Sequence, residues 1–403
     1  MLRKITRYYR DSYAGLGRPA WVLFFAQLIN SSGSMVLFFL TLYLTRHLGF
    51  SVPRAGLVLS LWGFGQLGGS ALGGWLSDRL GPARVQWASL VGCGGFFILL
   101  GQMTAFPAIV VLVLLAALVN GALYPANMTS MTRVCTPEIR PRGFALNRLA
   151  NNLGFTLAPV LGGFLAMRDY RLLFWVDGLT SLAAAMIFRI FFRDEPPAAA
   201  METRDLPPVP SRGPWRDGGL FVLLGLWFFL AVIFIQLYST YCLYLREGYG
   251  LPENRIGWLL MVNTLLIVTV EMPLLHAIRR AAPMRMVALG SAFTGIGFAL
   301  LPFGRGWFFA AVSVAVWTGG EMLSMPLFMG LIAGRARREH QGRTLGMASF
   351  AFNLAFIVGP IAGTAVYQGL GPTTLWLGCG LLGLSVCAGL IWLGPRGGRA
   401  TVH

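Results

Sequence analysis

Lysine is nearly absent from this chain: among 403 residues there is one, Lys4. A phosphate loop of the form GxxxxGK[ST] uses its lysine to reach the nucleotide phosphates, so no such loop exists here and an ATP-driven pump within the chain is excluded. Histidine is scarce as well. His47, His276, His340 and His403 are too scattered for the paired histidines of an HExxH zinc helix, and no GxSxG nucleophile elbow occurs. The five cysteines, Cys93, Cys135, Cys242, Cys379 and Cys387, lack metal-ligand spacing and read as free thiols, four of them within apolar stretches. An enzyme therefore has little support, and neither a metal nor a cofactor is expected.

Charge is the next shortage. Only 12% of the residues are charged, against about 25% in an average soluble domain, while 56% are hydrophobic. Apolar stretches of the roughly 20 residues that cross a bilayer recur from end to end. They predict an all-α integral membrane protein with transmembrane helices near 19–45, 54–77, 85–103, 107–132, 143–166, 171–192, 218–245, 254–278, 285–303, 307–333, 344–369 and 372–393, twelve in all. The first stretch is longer than a signal-peptide core and reads as a true span. With both termini placed in the cytoplasm, 25 of the 32 basic residues fall on the cytoplasmic side and 7 outside, the positive-inside pattern. The formal charge of +17 thus follows membrane topology, and no nucleic-acid partner is expected. Arginine-rich composition without sizeable loops reads as a multi-pass protein of a bacterial inner membrane, a monomer surrounded by membrane lipid.

Shifting the sequence against itself by 201 residues aligns Leu42, Tyr43, Leu44 and Gly49 with Leu243, Tyr244, Leu245 and Gly250. The same shift pairs Arg79, Pro82 and Arg84 with Arg280, Pro283 and Arg285. It goes on to pair Pro125 with Pro326, and Asn152, Pro159 and Gly162 with Asn353, Pro360 and Gly363. One constant offset indicates duplication: a six-helix bundle over 1–192, a proline- and charge-rich cytoplasmic linker over 193–217, and a second six-helix bundle over 218–403. Parallel repeats of this kind place a substrate site where the halves meet.

Between the second and third spans lies "GGWLSDRLGPARV", an unusual concentration of charge for this chain. Through Gly74, Leu76, Asp78, Arg79 and Gly81 it resembles the signature of the major facilitator superfamily, departing at Pro82 and Ala83, with Arg84 following. Gly74 is expected to allow close helix packing, Gly81 a tight reversal, and Asp78 to accept hydrogen bonds at a helix start, together forming a cytoplasmic gate. A second stretch, "NNLGFTLAPVLGG", resembles the glycine and proline motif of antiporters in that superfamily. It matches at Gly154, Pro159, Gly162 and Gly163, has Ala158 where the motif usually has glycine, and finds Gly359 and Pro360 in the repeat. Such a helix 5/11 hinge suits a moving seam. The helix 4 arginine familiar in exporters of the superfamily is missing, so their proton machinery does not carry over unchanged.

Carboxyls inside a bilayer cost about 2.5 to 3.5 kcal/mol each on insertion scales, which makes them functional candidates. Glu321, in "VWTGGEMLSMPL", lies deep in the tenth span. It is the first candidate for proton coupling, with Glu271 of the eighth span as the second. Asp177 reads as structural. The repeat mate of Glu321 is Asn120. The resemblance implies a central cavity lined by helices 1, 4, 7 and 10, and its candidate wall is Gln27, Asn30, Asn120, Tyr124, Gln236, Tyr238, Trp317 and Glu321. Asn147, Arg148, Asn151 and Asn152 form an inner polar patch that suits either an inner gate or a binder of acidic groups.

These features point to a secondary active transporter that works by alternating access, with protons as energy source and a small amphipathic molecule or drug exported. "GEMLSMP" also resembles the helix 10 region of proton-coupled peptide transporters, which implies the alternative of an importer of peptide-like or zwitterionic solutes. A lipid flippase and a non-transporting membrane receptor are the remaining alternatives.

Overall fold

The computed structural model describes residues 15–136, 139–191, 217–335 and 341–397. The expected linker, apart from Asp217, lies outside them. Among the described residues there are twelve helices long and apolar enough to span a membrane, and no strand. In chain order they are α1 (Arg18–His47), α2 (Val52–Leu80), α3 (Pro82–Leu100), α4 (Phe106–Val134), α5 (Arg142–Arg168), α6 (Arg171–Phe191), α7 (Gly218–Glu247), α8 (Glu253–Ala277), α9 (Pro283–Phe303), α10 (Trp307–Arg335), α11 (Arg343–Gly369) and α12 (Pro372–Gly394). Every expected span is present, because an uninterrupted apolar run leaves a backbone in lipid no choice but to bond within itself.

The charged stretch between the expected spans 54–77 and 85–103 belongs to the helices themselves, with the expected tight reversal at Gly81. It holds no loop: α2 continues as helix through Asp78 to Leu80, and α3 begins at Pro82. Gly81 alone makes the turn, at φ +87°, a conformation open to glycine, and Pro82 opens α3 with its torsion already helical. Two other spans are interrupted. α1 breaks after Gly33 and resumes at Val36, and Asp177 of α6 accepts the Val36 N–H at 3.4 Å, so this carboxylate serves as a cap for the second segment. α7 widens into a π turn over Leu237–Tyr241. Asp217 caps α7, accepting from the Gly219 and Leu220 N–H groups at 2.9 and 3.2 Å.

Packing divides the chain into two units, Met1–Val36 with Phe64–Arg204, and Leu37–Gly63 with Asp205–His403. In the first unit, α2 beds on α4 through a line of glycines. A Cβ on Gly65 would lie 2.6 Å from the Ala117 Cβ, one on Gly73 would lie 2.7 Å from the Ala122 Cβ, and one on Gly69 would strike the Leu118 carbonyl. Gly74 faces open space, so the close packing expected of Gly74 belongs to Gly73. In lipid, such backbone proximity supplies the dispersion that holds helices together.

The second unit is centred on larger side chains. Leu223, Trp227, Val287, Phe328 and Leu390 form one buried cluster, with the Trp227 indole donating to the Ala348 carbonyl at 3.1 Å. Nearby elements carry a stack of rings: Phe298 lies between Trp317 and Trp376 with centroids 5.4 and 5.9 Å away and planes within 13° and 9° of parallel. Tyr241 meets all three edge-on.

Candidate functional site

The second unit holds an ionisable cluster built by α8 and α10. Glu321, the fifteenth residue of α10, is about 21 Å along the helix from Trp307 at 1.5 Å per residue. Its Oε2 accepts a hydrogen bond of 2.9 Å from the Asn263 amide, which also donates to the Thr318 hydroxyl at 3.1 Å. Asn263 and Thr318 are buried, while Glu321 is partly accessible. Because a carboxylate can only accept, the amide nitrogen must face it, and its second hydrogen reaches the Thr318 hydroxyl on the preceding turn. Glu271 lies two turns further along α8, buried, and within electrostatic range of Glu321. Tyr238 on the π turn of α7 is also within electrostatic range of Glu321, and its ring packs against Phe38 and Phe356 at 5.2 and 5.7 Å. Carboxyl, amide and aromatic surface thus share one region of a single unit.

The first unit has a neutral counterpart built from side-chain amides and a hydroxyl. Asn120 Oδ1 accepts from the Gln66 amide of α2 at 2.8 Å. Closer to the other end of the spans, Gln27 donates to Ser31 at 2.8 Å and to Asn151 at 3.2 Å, and it accepts from Asn127 at 3.2 Å. Ser31 completes the mesh by donating to Asn151 at 2.8 Å. Gly154 allows this approach, since a Cβ there would run into Ser31. Asn127 Oδ1, Ser130 Oγ and Asn147 Oδ1 are buried with no hydrogen-bond partner among the described residues. Acceptors of that kind call for a water or a donor on a solute.

The structure separates the remaining cavity candidates. Tyr124 is exposed at 70%. Asn30 is buried and accepts from Ser181 at 3.1 Å, which ties α1 to α6. Gln236 is fully engaged: it donates to the Val232 and Gly359 carbonyls and accepts from Ser239 and Thr240, all within 3.0 to 3.2 Å. It is a knot between α7 and α11 rather than an open wall. Trp317 is likewise withdrawn, completely buried in the ring stack described above. An isolated polar or aromatic residue in a span gives no rotation about the helix axis, and rotation decided both positions.

Within the gate motif, Asp78 and Arg84 are exposed, and the Arg79 guanidinium sits 4.1 Å from the centre of the Trp75 ring, a cation–π contact. No hydrogen bond joins Asp78 to a helix start among the described residues. The inner polar patch splits: Asn147 is buried and Asn151 bonds Gln27 and Ser31 inside the first unit, Arg148 is exposed, and Asn152 is half-buried. Pro159 and Pro360 lie inside α5 and α11, Gly162 and Gly163 are buried, and a Cβ on Gly359 would lie 3.3 Å from Ile235. His276 bonds Arg279 on the surface at 3.0 Å, away from Glu271. Among the described residues, no three of histidine, cysteine, aspartate and glutamate come together as a metal site.

Sequence reasoning missed Asn263, Gln66, Asn127 and Thr318. A usable signal exists: the two donors precede their acceptors by 54 and 58 residues, so the 201-residue offset brings them to positions four residues apart, about one helical turn, on one face.

The sequence profile of the Major Facilitator Superfamily matches residues 23–351 and 224–401. The chain is 24% identical to the uncharacterized MFS-type transporter YttB of Bacillus subtilis (strain 168), over 89% of its own length and 91% of that protein's. It is 24% identical to the class C tetracycline resistance protein of Escherichia coli, over 77% and 79% respectively. A crystal structure of peptide transporter POT in complex with sulfate shares its fold, with a TM-score of 0.80 across 95% of both chains at 17% identity. A twelve-span fold, a profile match along most of the chain and relatives that are transporters throughout identify a membrane transporter and not an enzyme: the chain belongs to the Major Facilitator Superfamily.

Proposed function

We propose that this transporter is a proton-coupled exporter of small amphipathic molecules and works by alternating access. The observation that carries the reading is the Glu321 carboxyl inside α10, held by one amide donor from Asn263 with Glu271 in electrostatic range. A carboxyl so placed can exchange one proton without dismantling its surroundings, and one proton crossing 100 mV releases about 2.3 kcal/mol. That supplies a driving force to a chain without a phosphate loop. Apolar walls with a few polar groups suit an amphipathic solute. The α5 motif and the tetracycline-resistance relative favour export.

The test is solute-dependent proton movement in proteoliposomes loaded with a pH-sensitive dye. Lipophilic cations added to wild type should evoke proton flux, and Glu321→Gln should reduce it to background while the protein stays folded. Full flux in Glu321→Gln would remove Glu321 from the mechanism. A response to short peptides alone, with uptake down the proton gradient, would favour import, a reading suggested by the ability of the same carboxyl to hold a substrate ammonium.

A further inference from the structure

A groove of about 600 Å3 opens between α9 and α12 and shares no lining residue with the Glu321 cluster. Its floor is Ala288 and Leu390, both buried in the main hydrophobic cluster of the second unit. Its sides are Met284, Leu289, Ile391 and Gly394, of which Leu289 and Ile391 are exposed at 47% and 60%. Arg285, in the first turn of α9, stands on the rim and is itself exposed. It is the last of three arginines in seven residues, after Arg279 and Arg280, and it lies in the first turn of the span formed by α9. The recess is therefore cationic at the end of the span and apolar toward its middle. An anionic phospholipid has the matching layout, a phosphate above two hydrocarbon chains; guanidinium pairs with that phosphate through two hydrogen bonds, and no headgroup cation competes for it as choline does in phosphatidylcholine.

We propose that the α9/α12 groove is a binding site for an anionic phospholipid, its phosphate on Arg285 and an acyl chain along Leu289 and Ile391. Basic pockets at the ends of spans recognise acidic lipid by this division of labour.

The groove carries its own reporter. Cys387 lines it and is partly accessible, whereas Cys93, Cys135, Cys242 and Cys379 are buried. The full-length protein is placed in nanodiscs of phosphatidylcholine or of phosphatidylglycerol, and N-ethylmaleimide addition at Cys387 is followed by mass spectrometry. Phosphatidylglycerol should slow labelling about fivefold, the change expected when one arginine near the surface attracts an acidic lipid. Arg285→Gln should label at equal rates in both lipids. Gly394→Leu supplies an independent check: Gly394 lines the groove, and a Cβ there meets only Met284 Cγ, at 3.8 Å, an ordinary contact from which a larger side chain can extend into the recess. That variant should label slowly in either lipid. Equal rates for wild type in the two lipids would overturn the proposal. So would a phosphatidylglycerol effect that survives in Arg285→Gln or in Gly394→Leu.

Discussion

The pairs Gln66–Asn120 and Asn263–Glu321 are the same device in two chemistries. Each joins the second helix of a repeat to the fourth, each uses a side-chain amide as donor, and their lengths are 2.8 and 2.9 Å. The acceptors are repeat mates. In the first unit the acceptor is an amide that never changes charge, and in the second it is a carboxyl that can. A shared scaffold thus carries one fixed and one titratable contact. Duplication accounts for the shared geometry, and a single position decides whether the contact can change charge.

The comparison breaks most completely if its one ionisable member is made neutral. Glu321→Asn gives the second unit the chemistry of the first, and proton-coupled flux should fall to background with solute binding still measurable by thermal shift. Next comes Asn263→Ala, which removes the donor to Glu321. A hydrogen bond to a charged group contributes about 1.5 to 3 kcal/mol, so transport should drop roughly tenfold or more in the flux assay. Smaller effects are expected from the neutral unit. Gln27→Ala deprives Ser31, Asn127 and Asn151 of a partner and should cost about 1 to 3 kcal/mol of stability, read as lowered melting temperature with coupling stoichiometry unchanged. Asn120→Ala should cost about 1 kcal/mol by the same measurement, again sparing coupling. If it abolished coupling instead, the two pairs would not be functionally distinct. The smallest change in solute affinity belongs to Trp317→Phe, which trims the ring stack without touching an open wall. Dissociation constants should match wild type while thermal stability falls.

The sequence made the helices legible and left their rotations hidden. All twelve spans could be read because apolar length alone determines whether a segment enters lipid, and the repeat followed from one offset. Glu321 stood out because a carboxyl in a span is costly wherever it points. Amides are cheaper and more frequent, and their meaning depends on direction. Gln236 and Gln27 look alike in the sequence, yet one is saturated within an α7–α11 knot and the other links three helices. Gly73 and Gly74 are adjacent, and only the first meets a neighbour, since a step of one residue turns the helix by about 100°. In the gate stretch the tight reversal at Gly81 was legible, while the helices run closer to it than the expected bounds of 77 and 85, because one positive-φ glycine followed by proline is enough to make the turn.

That economy at Gly81 has a mechanical consequence. Segments that change angle usually take up the difference in a length of connecting chain, which lets one member move before the other responds. Between α2 and α3 there is no such backlash. The two torsions of a single residue are the whole linkage, so α2 and α3 can change their mutual angle only through them, and any side chain at Gly81 would strain the joint, because φ +87° is a conformation that L side chains rarely adopt.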